Sequence, residues 1–98
     1  MKITVLMPIF ATPVEWIRQA VESIIAQDHP EFQLLIVDDN NPKGAITDYI
    51  YGTSQLNCCI NVIRTTENKG IAAALNTGLA HCKGDLIVRM DAGNYHCK

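Results

Sequence analysis

Four short apolar runs, at residues 3–7, 32–37, 59–64 and 85–90, are separated by segments whose apolar residues recur at helical spacing. This alternation constrains the fold more than any other feature. A run of branched apolar residues without polar alternation reads as a strand covered on both faces. Strands joined through helices pair in parallel, with right-handed crossovers. The expected fold class is therefore α/β, a Rossmann-like open parallel sheet in the order β-α-β-α-β-α-β.

Local signals place the elements. Pro8 is expected to end the first strand, because proline has no N–H to donate to a ladder. Thr12 reads as the N-cap of the first helix, with Pro13 at its first position and Glu15 reaching back as in a capping box. Val14, Ile17, Val21, Ile24 and Ile25 then form one apolar stripe, and residues 27–30 end the helix. Pro42 and Gly44 turn the chain into a second helix through Ile46, Tyr49 and Ile50, and residues 52–57 read as a loop. The turn at 68–70 leads into a third helix over 71–82, with the stripe Ile71, Leu75, Gly78 and Cys82. Ala74 and Gly78 are small enough to let that helix lie close to a sheet, and Lys83-Gly84 stops it. Asn76 is an unusual polar residue in this helix; a solvent-facing and a functional position are both open.

The 98 residues are 48% hydrophobic and 18% charged, with a formal net charge of -2. They suit one domain with a single core. Lys and Arg are scattered and build no face for nucleic acid. No apolar run approaches the ~20 residues of a membrane span. Lys2 before the apolar stretch 3–11 resembles the start of a signal peptide, but Pro8 interrupts it and no cleavage motif follows, so a cytoplasmic location is expected. Cys58, Cys59, Cys82 and Cys97 show no framework spacing and read as free thiols of a reducing compartment. His81-Cys82 and His96-Cys97 match no common zinc pattern.

Ligands of open parallel sheets bind beyond the carboxyl ends of the strands, and polar residues gather there. Pro8 and Phe10 follow the first strand, and Asp38, Asp39 and Asn40 the second. Arg64 and the Asn68-Lys69-Gly70 turn follow the third, and Asp91 the fourth. Two consecutive carboxylates exceed what capping the next helix requires. A carboxylate at this rim accepts hydrogen bonds from a base N–H or from ribose hydroxyls. Asn68 and Gly70 also read as an ordinary turn and helix start. The Val37-Asp38-Asp39 string occurs in receiver domains as well, but there the acidic pair follows the first strand, and likeness of fold alone licenses no function.

The ordered set of these residues resembles the family 2 glycosyltransferases. The match runs through residues 5–8, Glu22-Ser23-Ile24 with Gln27, and residues 35–39. It continues with Asn68-x-Gly70-x-x-x-Ala74-x-Asn76-x-Gly78 and closes with residues 84–87 and the approach to Asp91. The resemblance implies the N-terminal half of a GT-A fold and a UDP-sugar or similar donor. Pro8, Ile9 and Phe10 would lie against the nucleoside, and Asp38 and Asp39 would bind base and ribose. Asn68 and Lys69 belong to the same nucleotide-binding rim. Asp91 would bind ribose and hold a divalent metal, Mg or Mn, on the diphosphate. The family's Asp-x-Asp is here Asp91-Ala92-Gly93-Asn94. Gly93 offers no side-chain oxygen, so the acidic motif is incomplete as a metal site.

The parent reaction implied is inverting transfer of a sugar to an acceptor hydroxyl, which needs a general base. Acceptor site and base lie downstream of the acidic motif in the family. Residues 1–98 are accordingly expected to be the nucleotide-sugar-binding part of a truncated domain, inactive alone; His96 is a poor base. The alternative is a non-catalytic module acting by nucleotide binding or by self-association through an exposed sheet edge.

Overall fold

Strands β1 (Ile3–Ile9), β2 (Phe32–Asp38), β3 (Ile60–Arg64) and β4 (Leu86–Arg89) form one parallel sheet in the order β3-β2-β1-β4. Helices α1 (Val14–Ile25), α2 (Ala45–Leu56) and α3 (Ile71–His81) alternate with them, as the apolar pattern requires. The computed structural model describes residues 2–26, 32–57, 59–65, 70–82 and 85–90. Among these, no helix is long and apolar enough to cross a membrane.

Alternation along the strands divides the core. Val5, Met7 and Ile9 of β1 and Leu34 and Ile36 of β2 pack with Ile17, Ala20, Val21 and Ile50 of α1 and α2. Leu6, Leu35 and Val37 pack on the opposite face with Ala74 of α3. Helices on both faces explain why the central strands lack polar alternation. The chain steps from β1 to β2 to β3 in one direction, then crosses back to place β4 beside β1. A doubly wound sheet has its switch point there, between β1 and β4. Gly78 makes the α3 contact close: a Cβ at that position would press on the Leu6 side chain and lie 2.9 Å from Val37 Cγ2.

Four local expectations are corrected. Pro8 does not end β1; it lies inside the strand, opposite Val37. Leu6 C=O accepts from Met90 N–H at 2.9 Å and Ile9 C=O from Asp39 N–H at 3.1 Å. Backbone groups of even-numbered β1 residues therefore face β4, and those of odd-numbered ones face β2. The donor missing at Pro8 is on the β4 side, where the described ladder already stops at the Leu6–Arg89 pair. Proline thus removes a donor only on the β4 side and leaves the β2 ladder intact.

Thr12 does not cap α1. The N-cap is Pro13, with φ -55° and ψ 133° and no side-chain cap bond, while the Thr12 hydroxyl turns to Phe10 C=O at 3.5 Å. Glu15 does not reach back; it pairs with Arg18 at 2.5 Å. Residues 52–56, expected as a loop, continue α2 to Leu56. Thr47 Oγ1 accepts the Gly44 N–H at 3.0 Å and secures the start of that helix.

The α1 stripe is narrower than its sequence pattern. Ile17 and Val21 are buried, and Ile25 is 45% exposed. Asn76 is exposed. The helix ends expected at 27–30 and at Lys83-Gly84 lie outside the described residues, as do Cys58, His96 and Cys97. Cys82 is half-buried, and burial pushes its thiol pKa up, so its thiolate is disfavoured.

Candidate functional site

The carboxyl ends of β1, β2 and β3 are tied together by two aspartates working on opposite faces of the sheet. Asp38 continues the Leu34–Ile36 face toward α2. Asp39 turns to the α3 side. Both are buried, at 0% and 1% exposure.

The Asp38 carboxylate accepts four hydrogen bonds. Oδ1 receives the Asn41 N–H at 2.9 Å and the Asn41 amide Nδ2 at 2.6 Å. Oδ2 receives the Tyr51 hydroxyl at 3.0 Å and the Arg64 guanidinium at 2.6 Å. Burial by itself pushes this carboxyl up. The donors from Asn41, Tyr51 and Arg64 outweigh it and hold the pKa below the ordinary 3.8. The carboxylate in turn raises its partners. Tyr51 is pushed above its ordinary value by burial and then by its bond to Asp38. Arg64 is raised chiefly by its bond to Asp38. Arg64 also donates to Asn40 Oδ1 at 2.8 Å, closing a clasp from β3 to the β2 loop.

Asp39 organises the other side. Its Oδ1 accepts the Thr65 hydroxyl at 2.9 Å, and its Oδ2 accepts the Gly70 N–H at 3.1 Å. Gly70 is the N-cap of α3 and has φ 89°, a conformation that glycine adopts without strain. A carboxylate at a helix N-terminus is favoured by the helix dipole. All four carboxylate oxygens are therefore held by the protein. No buried side-chain nitrogen or oxygen among the described residues lacks a partner.

The β1–α1 loop is fixed from β2. Asn41 Oδ1 accepts the Ala11 N–H at 2.8 Å, and its Nδ2 also donates to Ile9 C=O at 3.0 Å. Ala11 and Asn40 both have left-handed backbones, with φ 56° and 58°. Asparagine tolerates that conformation better than alanine.

Of the residues singled out from the sequence, Pro8, Ile9, Asp38 and Asp39 are brought together but buried. Phe10 stands out at 41% exposure. Asn68, Lys69 and Asp91 lie outside the described residues. Among the described residues, no group of three or more His, Cys, Asp or Glu is placed to hold a metal ion. Asn41, Tyr51 and Thr65 were not picked out from the sequence. For Asn41 only the local bond from its N–H to the Asp38 side chain follows a turn pattern; its side-chain bonds to Ile9 and Ala11 span 32 and 30 residues and left no signal. Tyr51 and Thr65 carried none, since their roles depend on tertiary approach. A separate open groove beside α2 is lined by Lys43, Thr47, Tyr51, Gln55 and Arg64; neither Phe10 nor Asp39 borders it.

Comparison with known proteins follows the same lines. The model of a family described as glycosyl transferase family 2 matches residues 4–96. EpsE of Bacillus subtilis (strain 168), named as a glycosyltransferase, is 30% identical over 90 residues, or 92% of this chain and 32% of that protein. Glycosyltransferase GlyA of Streptococcus pneumoniae serotype 4 is 29% identical over 94 residues, or 96% of this chain and 13% of its own length. The chain thus spans about a third or less of these relatives. Among solved structures, the mannosyltransferase PcManGT from Pyrobaculum calidifontis, in complex with GDP-Man and Mn2+, superposes with a TM-score of 0.82 at 26% identity. That match covers 93% of this chain and 27% of the other. S. aureus TarS 1-349 in complex with UDP-GlcNAc superposes with a TM-score of 0.80 over 94% of this chain and 26% of its own; at 24% identity it speaks for the fold. A parallel α/β sheet with its acidic pair after the second strand, and a family match over nearly the whole sequence, lead to one assignment: the chain belongs to glycosyltransferase family 2.

Proposed function

We propose that this chain binds the nucleoside diphosphate of a sugar donor at the carboxyl rim of its sheet, beside the switch point between β1 and β4. The observation that carries this reading is Phe10, a half-exposed aromatic ring set directly after β1 and flanked by a fully bonded polar network. An aromatic face at such a rim stacks on a nucleobase without selecting strongly among bases. Asp39, the second carboxylate of the pair and held toward α3 by Thr65 and Gly70, takes the base and ribose role. Asp38, with four donors already on it, acts as the anchor of the rim. Pro8 and Ile9 support the platform from beneath, and Asn68 and Lys69 follow on the α3 side.

Asp91 would hold a divalent cation together with diphosphate oxygens and water, the usual arrangement for magnesium or manganese. With one carboxylate in the motif, the ion is expected only when the diphosphate is present. The PcManGT complex, which holds GDP-Man and Mn2+ together, supports a metal beside the donor. The reaction served is inverting transfer of a sugar to an acceptor hydroxyl, as part of polysaccharide synthesis. A cytoplasmic setting, where thiols such as Cys82 stay reduced, belongs with the same reading. We assign no general base to this stretch, so donor binding rather than turnover is the activity to expect of these 98 residues.

The test is titration of the isotopically labelled chain with UDP and GDP, with and without Mn2+. Amide shifts concentrated at Phe10, Ala11, Asp39 and Gly70 are expected. Saturating nucleotide that leaves all four unmoved overturns the reading. A second reading, self-association through β4, rests on the exposure of Leu86, Ile87 and Val88. It requires a concentration-dependent sedimentation coefficient, and a constant monomer value removes it.

A further inference from the structure

We infer that Asn41 is a positioning residue whose side-chain amide clamps the backbone on both sides of Phe10 and so sets the ring that meets the nucleobase. The inference rests on the donor-binding reading above and deepens it. Asn41 is fully buried. Its Nδ2 donates to Ile9 C=O, just before Phe10, at 3.0 Å. Its Oδ1 accepts from Ala11 N–H, just after Phe10, at 2.8 Å. The exposed aromatic residue therefore sits on a short backbone arch tied at both feet to the loop after β2.

The amide cannot turn over. Asp38 Oδ1 accepts both from Asn41 N–H at 2.9 Å and from Nδ2 at 2.6 Å. That acceptor demands a donor facing it, which fixes Oδ1 toward Ala11. A carboxylate in the same place has no donor for Ile9 and would repel Asp38. A serine has one oxygen and does not reach both feet. The arch also needs restraint, because Ala11 holds φ 56°, and a left-handed alanine persists only where its surroundings enforce it. Asp38 thus acts on the rim through Asn41.

The experiment is a double-mutant cycle of Asn41→Ser and Phe10→Ala, read by the dissociation constant for UDP or GDP, whichever the parent chain binds more tightly. Asn41→Ser is expected to weaken binding about tenfold when Phe10 is present and by less than about twofold when Phe10 is already alanine. An equal loss in both backgrounds means that Asn41 only stabilises the fold, and overturns the proposal. Amide exchange gives a readout that needs no nucleotide: Ala11 N–H is expected to be protected in the parent and unprotected in Asn41→Ser. If Asn41→Ser does not fold, it is made with Ala11→Gly, which removes the left-handed strain. If the parent chain binds neither nucleotide, the functional reading fails on its own, and equal exchange at Ala11 in parent and variant then rejects the clamp as well.

Discussion

At the β3 edge the sheet passes under α2, and Arg64 closes it with bonds to Asp38 and Asn40. At the β4 edge Leu86, Ile87 and Val88 remain 44%, 39% and 42% exposed, so neither face of that strand is covered by the described residues. Both strands have the same branched apolar character, and among the described residues only one has a covering layer. The difference shows that strand formation and strand burial are separate achievements. Parallel pairing with β1 suffices to place β4, whereas the rim at β3 is also locked by buried polar bonds. Among the described residues the sheet therefore has one rigid wall, the β1–β3 side held by polar bonds, on which Phe10 stands, and one open wall at β4.

The rigid wall breaks most completely at Asp38. Asp38→Ala leaves the Asn41 amide, the Tyr51 hydroxyl and Arg64 without their common acceptor. Partly exposed Arg64 recovers some hydration, so the expected loss is about 3 kcal/mol rather than the upper end for a buried pair. Stabilities of domains this size run from about 5 to 15 kcal/mol, so urea denaturation should show a midpoint shift that no single β4 substitution matches.

The covered face gives the next effect. Gly78→Ala adds a Cβ against Leu6 and Val37, both buried. Overpacking of about 1–3 kcal/mol is offset by the helix preference of alanine, about 1 kcal/mol. A net destabilisation of about 1 kcal/mol in thermal or urea melts is expected. A neutral result would mean that α3 rides more loosely on the sheet than this contact allows.

Acid separates the two walls without any substitution. The folded pKa of Asp38 lies below its ordinary 3.8. Its carboxylate bonds therefore contribute their full stability above that value, and the contribution is lost as pH falls through the folded pKa. Urea midpoints measured from about pH 5 downward should fall in the parent chain. They should fall less steeply in Asp38→Asn, which has no charge to lose there. Parallel slopes would show that Asp38 is not the group that titrates.

The strands and their parallel order were legible because the apolar runs are continuous and the intervening periods are helical. Pro8 misled because a proline in a strand removes a donor on one side only, and the sequence does not say which neighbour has run out. The second half of α2 was hidden behind Gly52 and Ser54, residues that locally favour turns. Tyr51, one turn from its start of doubt, is held from outside by Asp38. At the site, Phe10, Asp38 and Asp39 could be named from their places at strand ends. Their division of labour could not, since it depends on the faces toward which adjacent side chains turn. Asp38 meets Tyr51 and Arg64, while Asp39 meets Thr65 and Gly70.

The smallest effect is expected at the open wall, and it sharpens the contrast most directly. Ile36→Thr and Ile87→Thr make the same chemical change in β2 and β4. Ile36 is fully buried, so its substitution places a hydroxyl in the core and is expected to destabilise by about 2 kcal/mol. Ile87 is 39% exposed, and threonine suits an exposed strand position, so a change within about 0.5 kcal/mol is expected. Urea denaturation of the two variants at one protein concentration measures both. If Ile87→Thr instead approaches the loss at Ile36, then something covers β4 in solution. Repeating the measurement at tenfold dilution then decides whether that cover is a second copy, since only an intermolecular contact weakens on dilution.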